Sequence, residues 1–263
     1  MRRRSDLSDR LGLRKKRHPQ SRCFGRRQLV TALGDPTRIL VVAPHADDET
    51  LGMGGTIARY VKSGAEVHVA LLTGYGSESS HPFIAKTDFD VVRQEFDAAL
   101  RVLGVRHRHI RDLPAVMLDS VPTHKINAVA RELIESIRPN RLYLPFAFDL
   151  HRDHRELFYA FSVQARSYLP MGGSIDEVWC YETPSETHLA PAYLEPAFTP
   201  NKYVDITEYL ATKLKAVECY SSQSQQSPLP RSPEALTALA RMRGSQIGAG
   251  AAEAFVLIRK IDR

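Results

Sequence analysis

The five-residue segment HADDE, residues 45–49, places one imidazole and three carboxyl groups directly after an apolar run. Much later in the chain, DLHRDH, residues 149–154, follows another apolar run. If a helix begins in this second segment, His151 and His154 share one helix face because they are three residues apart. Catalytic zinc typically takes three imidazole or carboxylate ligands and keeps one position open for water. The two segments together therefore predict a metal-dependent hydrolytic site.

One assignment of these groups makes His45, Asp48 and His154 the metal ligands. Asp47 and His151 then remain available for acid–base chemistry. A bound metal lowers the pKa of its water to about 7, and a neighbouring carboxylate can take the proton. Asp47 is expected near the start of a helix, where the positive end of the helix dipole favours its anionic form. Asp47 is therefore the candidate general base.

The glycines of GMGG, residues 52–55, follow a predicted strand and raise the alternative of dinucleotide binding. The third glycine of that motif would fall at Ile57, and the next predicted strand ends at Thr73 without an acid for the ribose. The acidic residues 47–49 would also repel a pyrophosphate. We therefore expect no dinucleotide cofactor, and we expect the glycines to allow close packing of helix and sheet.

These polar segments need a sheet to position them. RILVVAP (38–44) and EVHVALLT (66–73) are the continuous apolar runs typical of parallel strands buried on both faces. Further strands are predicted at 141–146, 176–182 and 254–259, and helices at 50–63, 88–103, 123–138, 206–220 and 233–243. This alternation predicts an α/β fold, a doubly wound and mostly parallel sheet with helices on both faces. Ligands bind such sheets at the carboxyl ends of the strands, where both polar segments lie.

The basic residues are concentrated at one end of the chain. Residues 1–30 contain eleven of the 36 Lys and Arg residues but only two acids, whereas residues 31–263 have a slight excess of acids. We predict a basic, disordered extension over 1–30 and one folded domain over 31–263, since 43% hydrophobic residues suit a globular domain. Contact of the extension with nucleic acid or an anionic membrane is a less favoured alternative.

Several expectations concern location and cysteine chemistry. No apolar run is long enough for a membrane-spanning helix, and the first residues lack the apolar stretch of a secretory signal. A cytoplasmic location is therefore expected. The three cysteines are far apart, so we expect neither a disulfide framework nor a cysteine zinc site.

Four segments are expected to surround the site. Residues 74–87, 112–123 and 184–200 should shape the pocket, while the polar segment 220–233 is either an exposed loop or a lid over the substrate. Some aromatic and imidazole side chains in the first and third segments could stack on a sugar, although loop packing is the favoured interpretation: Tyr75, His81, Phe83, His188 and Tyr193.

Four segments of the sequence resemble the PIG-L/LmbE-like family of zinc-dependent de-N-acetylases. They are APHADDETLGMGGTIAR (43–59), DLHRDH (149–154), VDITEYLATKLKAVECYSSQ (204–223) and RMRGSQIGAGAAEAF (241–255). The resemblance extends over about residues 37–260. It implies a Rossmann-like fold and removal of the N-acetyl group from an N-acetylglucosamine-type sugar or conjugate, giving acetate and a free amine. Zinc is the implied cofactor, with Fe²⁺ or another divalent metal as an alternative, and the implied partner is a small amino-sugar conjugate.

The resemblance also implies roles for single residues. It assigns the same three metal ligands and makes Asp47 the general base. His151, in its protonated form, would steady the oxyanion or protonate the leaving amine, and Asp153 would orient an active-site histidine. Arg93 is a candidate substrate-binding residue, although it is displaced by one position from the family pattern. Ala46 replaces the usual proline of the first motif, which removes a backbone restraint but no chemical group.

Two alternatives from other classes remain. The chain could hydrolyse a different amide or an ester, for example in antibiotic or other secondary metabolism. It could instead be a noncatalytic binding protein, held to nucleic acid by residues 1–30. The oligomeric state is not predicted.

Overall fold

The computed structural model describes residues 37–76 and 81–262. The strands within these ranges are β1 (Arg38–Ala43), β2 (Glu66–Gly74), β3 (His107–Pro114), β4 (Arg141–Pro145), β5 (Glu177–Tyr181), β6 (Lys202–Asp205) and β7 (Ala252–Lys260). The α-helices are α1 (Asp48–Lys62), α2 (Lys86–Leu103), α3 (Thr123–Ile137), α4 (Arg152–Gln164), α5 (Leu210–Glu218) and α6 (Pro233–Ser245). The extension predicted for residues 1–30 lies outside the described residues, so it stays a prediction.

All seven of these strands form one sheet in the order β3-β2-β1-β4-β5-β7-β6. Strands β1 to β5 pair in parallel, and β7 is antiparallel to both of its neighbours. The chain runs outward from β1 to β3 and then returns to place β4 on the other side of β1. The gap between β1 and β4 is thus the switch point, where α/β sheets bind ligands.

Apolar side chains cover both faces of the sheet. On β1, Ile39 and Val41 pack into one core with apolar residues of α1, α2 and α5. Leu40 and Val42 point into a second core with α3 and α4. The predicted doubly wound, mostly parallel sheet with helices on both faces is therefore confirmed. As expected, alternate residues of one continuous apolar run pack into two different cores.

Two strands were absent from the sequence-based prediction. β3 is the edge strand, and its sequence HRHIRDLP lacks an apolar pattern because most of its side chains stay partly exposed. β6 has only four residues. Helix α1 also begins at Asp48 rather than at residue 50, so this side chain lies in the first helical turn.

The glycines of α1 allow the close packing that was expected. A Cβ on Gly52 would lie 2.3 Å from the ring of Tyr181, and a Cβ on Gly55 would lie 2.8 Å from Ile206. Either contact is too short for any side chain to fit without a shift of its neighbours. The helix that carries Asp48 is therefore held directly against the sheet and the segment after β6.

A buried ion pair supports a kink in the same helix. Met53 has non-helical backbone angles, φ −148° and ψ 24°, which interrupt the helical hydrogen bonds. The carboxylate of Glu253 accepts hydrogen bonds from the N–H groups of Gly55 and Thr56, at 3.1 and 2.7 Å. Lys213 Nζ donates to the same carboxylate at 2.6 Å. Glu253 therefore caps the second half of α1. The first turn of the helix can then take a different direction from the second half, toward the switch point.

Cys180 and Cys219 are free thiols, and the third cysteine lies outside the described residues. None of the helices described reaches the combination of length and apolar character that a bilayer crossing requires. The cytoplasmic location stays a prediction.

Candidate active site

The two polar segments meet at the switch point of the sheet. The first leaves the carboxyl end of β1 and enters α1 at Asp48. The second leaves the carboxyl end of β4 and enters α4 at Arg152, with His151 as the residue that precedes the helix. Because β1 and β4 are parallel neighbours, segments more than a hundred positions apart in sequence lie side by side.

The three predicted metal ligands converge on one point, and we call them the ligand triad. Oδ2 of Asp48 lies 3.3 Å from Nδ1 of His45 and 3.2 Å from Nε2 of His154. Ligands of a tetrahedral zinc ion are separated by about 3.3–3.6 Å when each lies about 2.0–2.2 Å from the metal. The buried Nε2 of His154 has no hydrogen-bond partner among the described residues. The donor set therefore fits a divalent metal.

Each histidine of the triad is held by a carboxylate on its other ring nitrogen. Nε2 of His45 lies 2.9 Å from Oδ2 of Asp153, and Nδ1 of His154 lies 2.8 Å from Oδ2 of Asp149. Metal-binding histidines commonly have such a partner, which fixes the ring and makes the ligating nitrogen more basic. The predicted contact of Asp153 with an active-site histidine is present.

The charges of the triad balance one another within a buried site. Burial lowers the pKa of His45, but hydrogen bonds to Asp153 and Asp48 outweigh this and raise the pKa to about 9. Burial likewise lowers the pKa of His154, yet the charge of Asp48 and the bond to Asp149 bring it well above its usual value. Burial alone would raise the pKa of Asp48, but the two imidazolium groups hold it far below its usual range. A divalent cation would supply the same positive charge and release these protons.

Asp47 is the N-cap residue of α1, but its side chain does not cap the helix. Its Oδ2 instead accepts a hydrogen bond from Nη1 of Arg231 at 3.0 Å. The backbone φ of Asp47 is 118°, a strained conformation of the kind that concentrates at functional sites. The carboxylate is thus directed into the site rather than toward its own helix.

The pKa of Asp47 moves opposite to the direction expected from the helix dipole. Burial and the charge of Asp48 raise it to about 8, although the Arg231 guanidinium opposes the change. Loss of solvation beside a second carboxylate therefore outweighs the helix N-terminus. A cation bound by the triad would favour the carboxylate form again.

His151 precedes α4 and uses one ring nitrogen to cap it. Nδ1 accepts a hydrogen bond from the backbone N–H of Asp153 at 3.1 Å, so the neutral ring carries its proton on Nε2. Burial and the neighbouring His45 lower the pKa of His151 to about 4. Burial and a protonated His45 thus oppose the expected protonated form of His151, which stays a prediction. The neutral ring can still donate one hydrogen bond through Nε2.

Asp153 also shapes the wall of the site. Its carboxylate accepts hydrogen bonds from the N–H groups of Val116 and Leu118, at 2.6 and 3.1 Å. Val116 has a φ of 63°, which is uncommon for a β-branched residue and needs such support. One carboxylate thus fixes both His45 and the loop after β3.

A cavity of about 290 Å³ opens above the triad. Its walls include all three ligands, both predicted acid–base residues and Arg93, together with Phe89 and Val92 of α2. Arg93 Nη2 forms an ion pair with Asp112, whereas its buried Nε has no hydrogen-bond partner among the described residues. The structure therefore brings Arg93 to the cavity that contains the other predicted site residues.

Comparison with known proteins agrees with this geometry. The profile of a family described as GlcNAc-PI de-N-acetylase, PIG-L, matches residues 40–165, which include every predicted site residue. A diacetylchitobiose deacetylase from Thermococcus kodakarensis is 27% identical over 195 residues, covering 72% of this chain and 71% of that protein. A conserved protein from Thermus thermophilus has a structure that superposes with a TM-score of 0.67 and 26% identity, covering 86% of this chain and 97% of the other. These similarities support the PIG-L/LmbE-like family of de-N-acetylases for this chain.

Likeness of fold alone does not fix the reaction. The 4-carboxy-2-hydroxymuconate hydratase GalB from Pseudomonas putida superposes with a TM-score of 0.65 at 19% identity, covering 86% of this chain and 98% of that one. The reaction of this chain must therefore be inferred from its own side chains.

Two residues of the site, Arg231 and Asp149, were not predicted from the sequence. Arg231, the partner of Asp47, lies in the segment 220–233, which contributes Arg231 and Gln223 to the cavity wall. It lies beyond the part of the chain that the family profile matches. An arginine in a polar loop far from both motifs gives no local signal. Asp149, in contrast, belongs to the second motif, and its carboxylate beside two histidines could have suggested a supporting role.

None of the five residues considered for sugar stacking lines the cavity above the triad. His81 accepts hydrogen bonds from the N–H groups of Phe83 and Ile84 and bonds to the carbonyl of Ala115, so it packs its loop as expected. Phe83 and Tyr193 are 84% and 86% exposed and do not line the cavity. The cavity wall thus depends more on α2 and on the polar groups of the motifs.

Proposed function

We propose that the chain is a metal-dependent hydrolase that removes the N-acetyl group from an N-acetylglucosamine-type sugar or glycoconjugate. The observation that carries this proposal is the convergence of three metal-binding donors with Asp47 and His151 in one cavity. The match to the GlcNAc-PI de-N-acetylase profile and the similarity to a diacetylchitobiose deacetylase support an acetylated amino sugar as the substrate class.

His45, Asp48 and His154 would hold the metal, for which we propose Zn²⁺, with Fe²⁺ as the alternative. When bound, the metal polarises the acetamide carbonyl and lowers the pKa of water in the site. Asp153 and Asp149 act as positioning residues because each holds one ligating ring from behind.

The remaining groups move protons and hold the substrate. Asp47 accepts the proton of the water that attacks the carbonyl carbon, and Arg231 keeps its carboxylate in place. The Nε2–H of His151 donates to the carbonyl oxygen as that atom gains negative charge. When the C–N bond breaks, Asp47 returns its proton to the amine nitrogen. The products are acetate and a free amine.

The cavity also limits how the substrate binds. Its volume of about 290 Å³ is small among ligand sites, which commonly range over about 300–1,000 Å³. We propose that it encloses the acetamide and one sugar ring, while the rest of the conjugate extends into solvent. Arg93, whose buried Nε is without a partner in the described structure, would donate to a sugar hydroxyl or an adjoining acidic group.

The test is acetate release from a panel of N-acetylglucosamine conjugates, combined with elemental analysis of the purified protein. We expect about one active-site metal per chain, loss of acetate release after chelation, and recovery on return of Zn²⁺. Bound metal with no acetate release from any N-acetyl sugar would overturn the substrate class. Absence of metal from the triad would overturn the mechanism.

A second panel of other acyl amides and esters distinguishes the alternative hydrolase. This alternative needs only the same metal-binding donors and Asp47, because the attack of water on another amide or an ester uses the same groups. Faster turnover of a non-sugar amide or an ester than of every N-acetyl sugar would favour it.

A further inference from the structure

Three histidines and a glutamate gather at the amino ends of β2 and β3. Glu66 and His68 lie on one face of β2, and His107 and His109 lie on one face of β3, because alternate residues of a strand share a face. The parallel register places His68 beside His107. We call these four residues the edge cluster, since β3 is the edge strand of the sheet.

The side chains of the edge cluster are in mutual contact. Nε2 of His68 lies 2.8 Å from Oε1 of Glu66, and Nδ1 of His68 lies 3.0 Å from Nε2 of His109. The rings of His68 and His107 stack with centroids 4.6 Å apart and an interplanar angle of 21°. One donor atom from each of Glu66, His68 and His107 lies within 4.8 Å of the others.

We propose that Glu66, His68 and His107 form a second binding site for a divalent transition metal, separate from the active site. Two imidazoles and a carboxylate are a donor set suited to Zn²⁺ or Ni²⁺. With Nε2 of His68 on the metal, its Nδ1–H donates to His109, which is the supporting contact that metal-binding histidines usually have.

Arg38 both orients the glutamate and limits the affinity of the site. Its Nε donates to Oε2 of Glu66 at 3.1 Å, which leaves Oε1 directed at His68. The guanidinium charge reduces the attraction of the site for a cation, so binding is weaker than at a site with an unpaired carboxylate.

The edge cluster is accessible and distant from the catalytic cavity. Glu66 and His107 line a surface cavity of about 570 Å³, so an ion can enter from solvent. The active site lies at the carboxyl ends of the strands, and β2 is nine residues long, so about 25 Å separate the two sites. A metal here would tie the edge strand to β2 and stabilise it without taking part in the reaction.

The test compares zinc content in the wild-type chain and in His107→Asn. Both are stripped with chelator, equilibrated with micromolar free Zn²⁺ and analysed for zinc per chain. We expect the variant to bind one zinc fewer than the wild type, whatever the occupancy of the active site. Zn²⁺ should also raise the melting temperature of the wild type more than that of the variant. The proposal therefore stands or falls independently of the proposed function.

The matched control is His124→Asn, which removes another exposed histidine and should keep the wild-type zinc content. Equal zinc content in wild type and His107→Asn would overturn the proposal. Glu66→Gln provides a second variant at a partly exposed position, so a folding defect in one variant leaves the other to decide. The same loss of one zinc is expected for Glu66→Gln, and full retention would contradict the site.

Discussion

The ligand triad and the edge cluster contain the same kinds of donor at opposite ends of one sheet. In the triad Asp48 and His154 are buried and the His45 side chain is 24% exposed, whereas in the edge cluster the Glu66 side chain is 32% exposed and His107 is exposed. The triad takes its members from two segments far apart in sequence, which only the switch point brings together. The residues of the edge cluster lie on two strands that pair directly with each other, β2 and β3.

The two clusters differ most in what surrounds the donors. Around the triad lie Asp47, whose backbone is strained and whose side chain does not cap its own helix, the ring of His151, whose Nδ1 caps α4, and a cavity that can hold a substrate. Around the edge cluster lie Arg38 and open solvent. Metal-binding residue types therefore indicate only where an ion can bind. Catalysis requires the base, the donor and the enclosed space as well.

The largest expected effect comes from breaking the triad. His154→Ala removes a buried ligand, and we expect it to lose the active-site metal and to lower turnover by at least about 10³-fold. Zinc content and acetate release measure both effects. His107→Asn is the control from the edge cluster and should retain wild-type turnover. Retained turnover in His154→Ala would contradict the assignment of the ligand.

Asp47→Asn should separate metal binding from catalysis. The substitution keeps the shape of the side chain but removes the base, so we expect turnover to fall by about 10²–10⁴-fold with metal content unchanged. Asp88→Asn removes a carboxyl group from the same cavity and should keep most of the activity. Full activity in Asp47→Asn would refute its role as general base.

Asp153→Asn tests whether a residue behind the triad acts through His45. Loss of such a partner commonly costs about 10–100-fold in metal affinity or activity. We expect zinc affinity, measured by competition with a chelator of known affinity, to fall within that range. A purely structural role would lower the melting temperature of the metal-free protein and leave zinc affinity unchanged. Asp119→Asn, at an exposed position in the same region of the chain, should change neither quantity.

The sequence allowed prediction of the parts of the fold that depend on continuous apolar runs. β1, β2, β4 and β5 are central strands, and burial on both faces leaves a clear pattern. β3 is an edge strand with polar side chains, including two of the edge cluster, and its pairing with β2 is decided by tertiary contact. The edge cluster could not be predicted from the sequence for the same reason: His68 and His107 are recognised as neighbours only once β3 is known to be a strand.

The candidate site was predictable where its residues lie within short motifs. The spacing within HADDE and DLHRDH brings the triad, Asp47 and His151 together once the two strands pair. Arg231 could not be found this way, because its contact with Asp47 spans 184 positions and depends on the path of a loop. The lowered pKa of His151 was also unpredictable, since it follows from burial and from the neighbouring His45.

Arg231→Gln should have a smaller effect than the changes above. Arg231 stabilises the carboxylate form of Asp47 and holds its position, but it does not touch the triad. We expect kcat to fall by about tenfold, roughly the contribution of one hydrogen bond to a charged group, with zinc content unchanged. Arg231→Lys should restore part of the loss, and Arg241→Gln on the exposed side of α6 should be neutral. A rise in KM with unchanged kcat would instead place Arg231 among the substrate-binding residues.

The smallest expected effect comes from Glu66→Gln in the metal-free protein. Glu66 bonds to Arg38 and His68, but it is partly exposed, and such ion pairs contribute about 0–1 kcal/mol. We expect the free energy of unfolding of this variant in chelator, measured with urea, to stay within that range of the wild-type value, and turnover of the zinc-loaded variant to be unchanged. Glu132→Gln, which removes a more exposed partner of Arg111, is the matched control. A decrease of several kcal/mol in the free energy of unfolding would show that Glu66 stabilises the sheet without any metal. The ligand triad and the edge cluster would then differ only in how deeply their donors are buried.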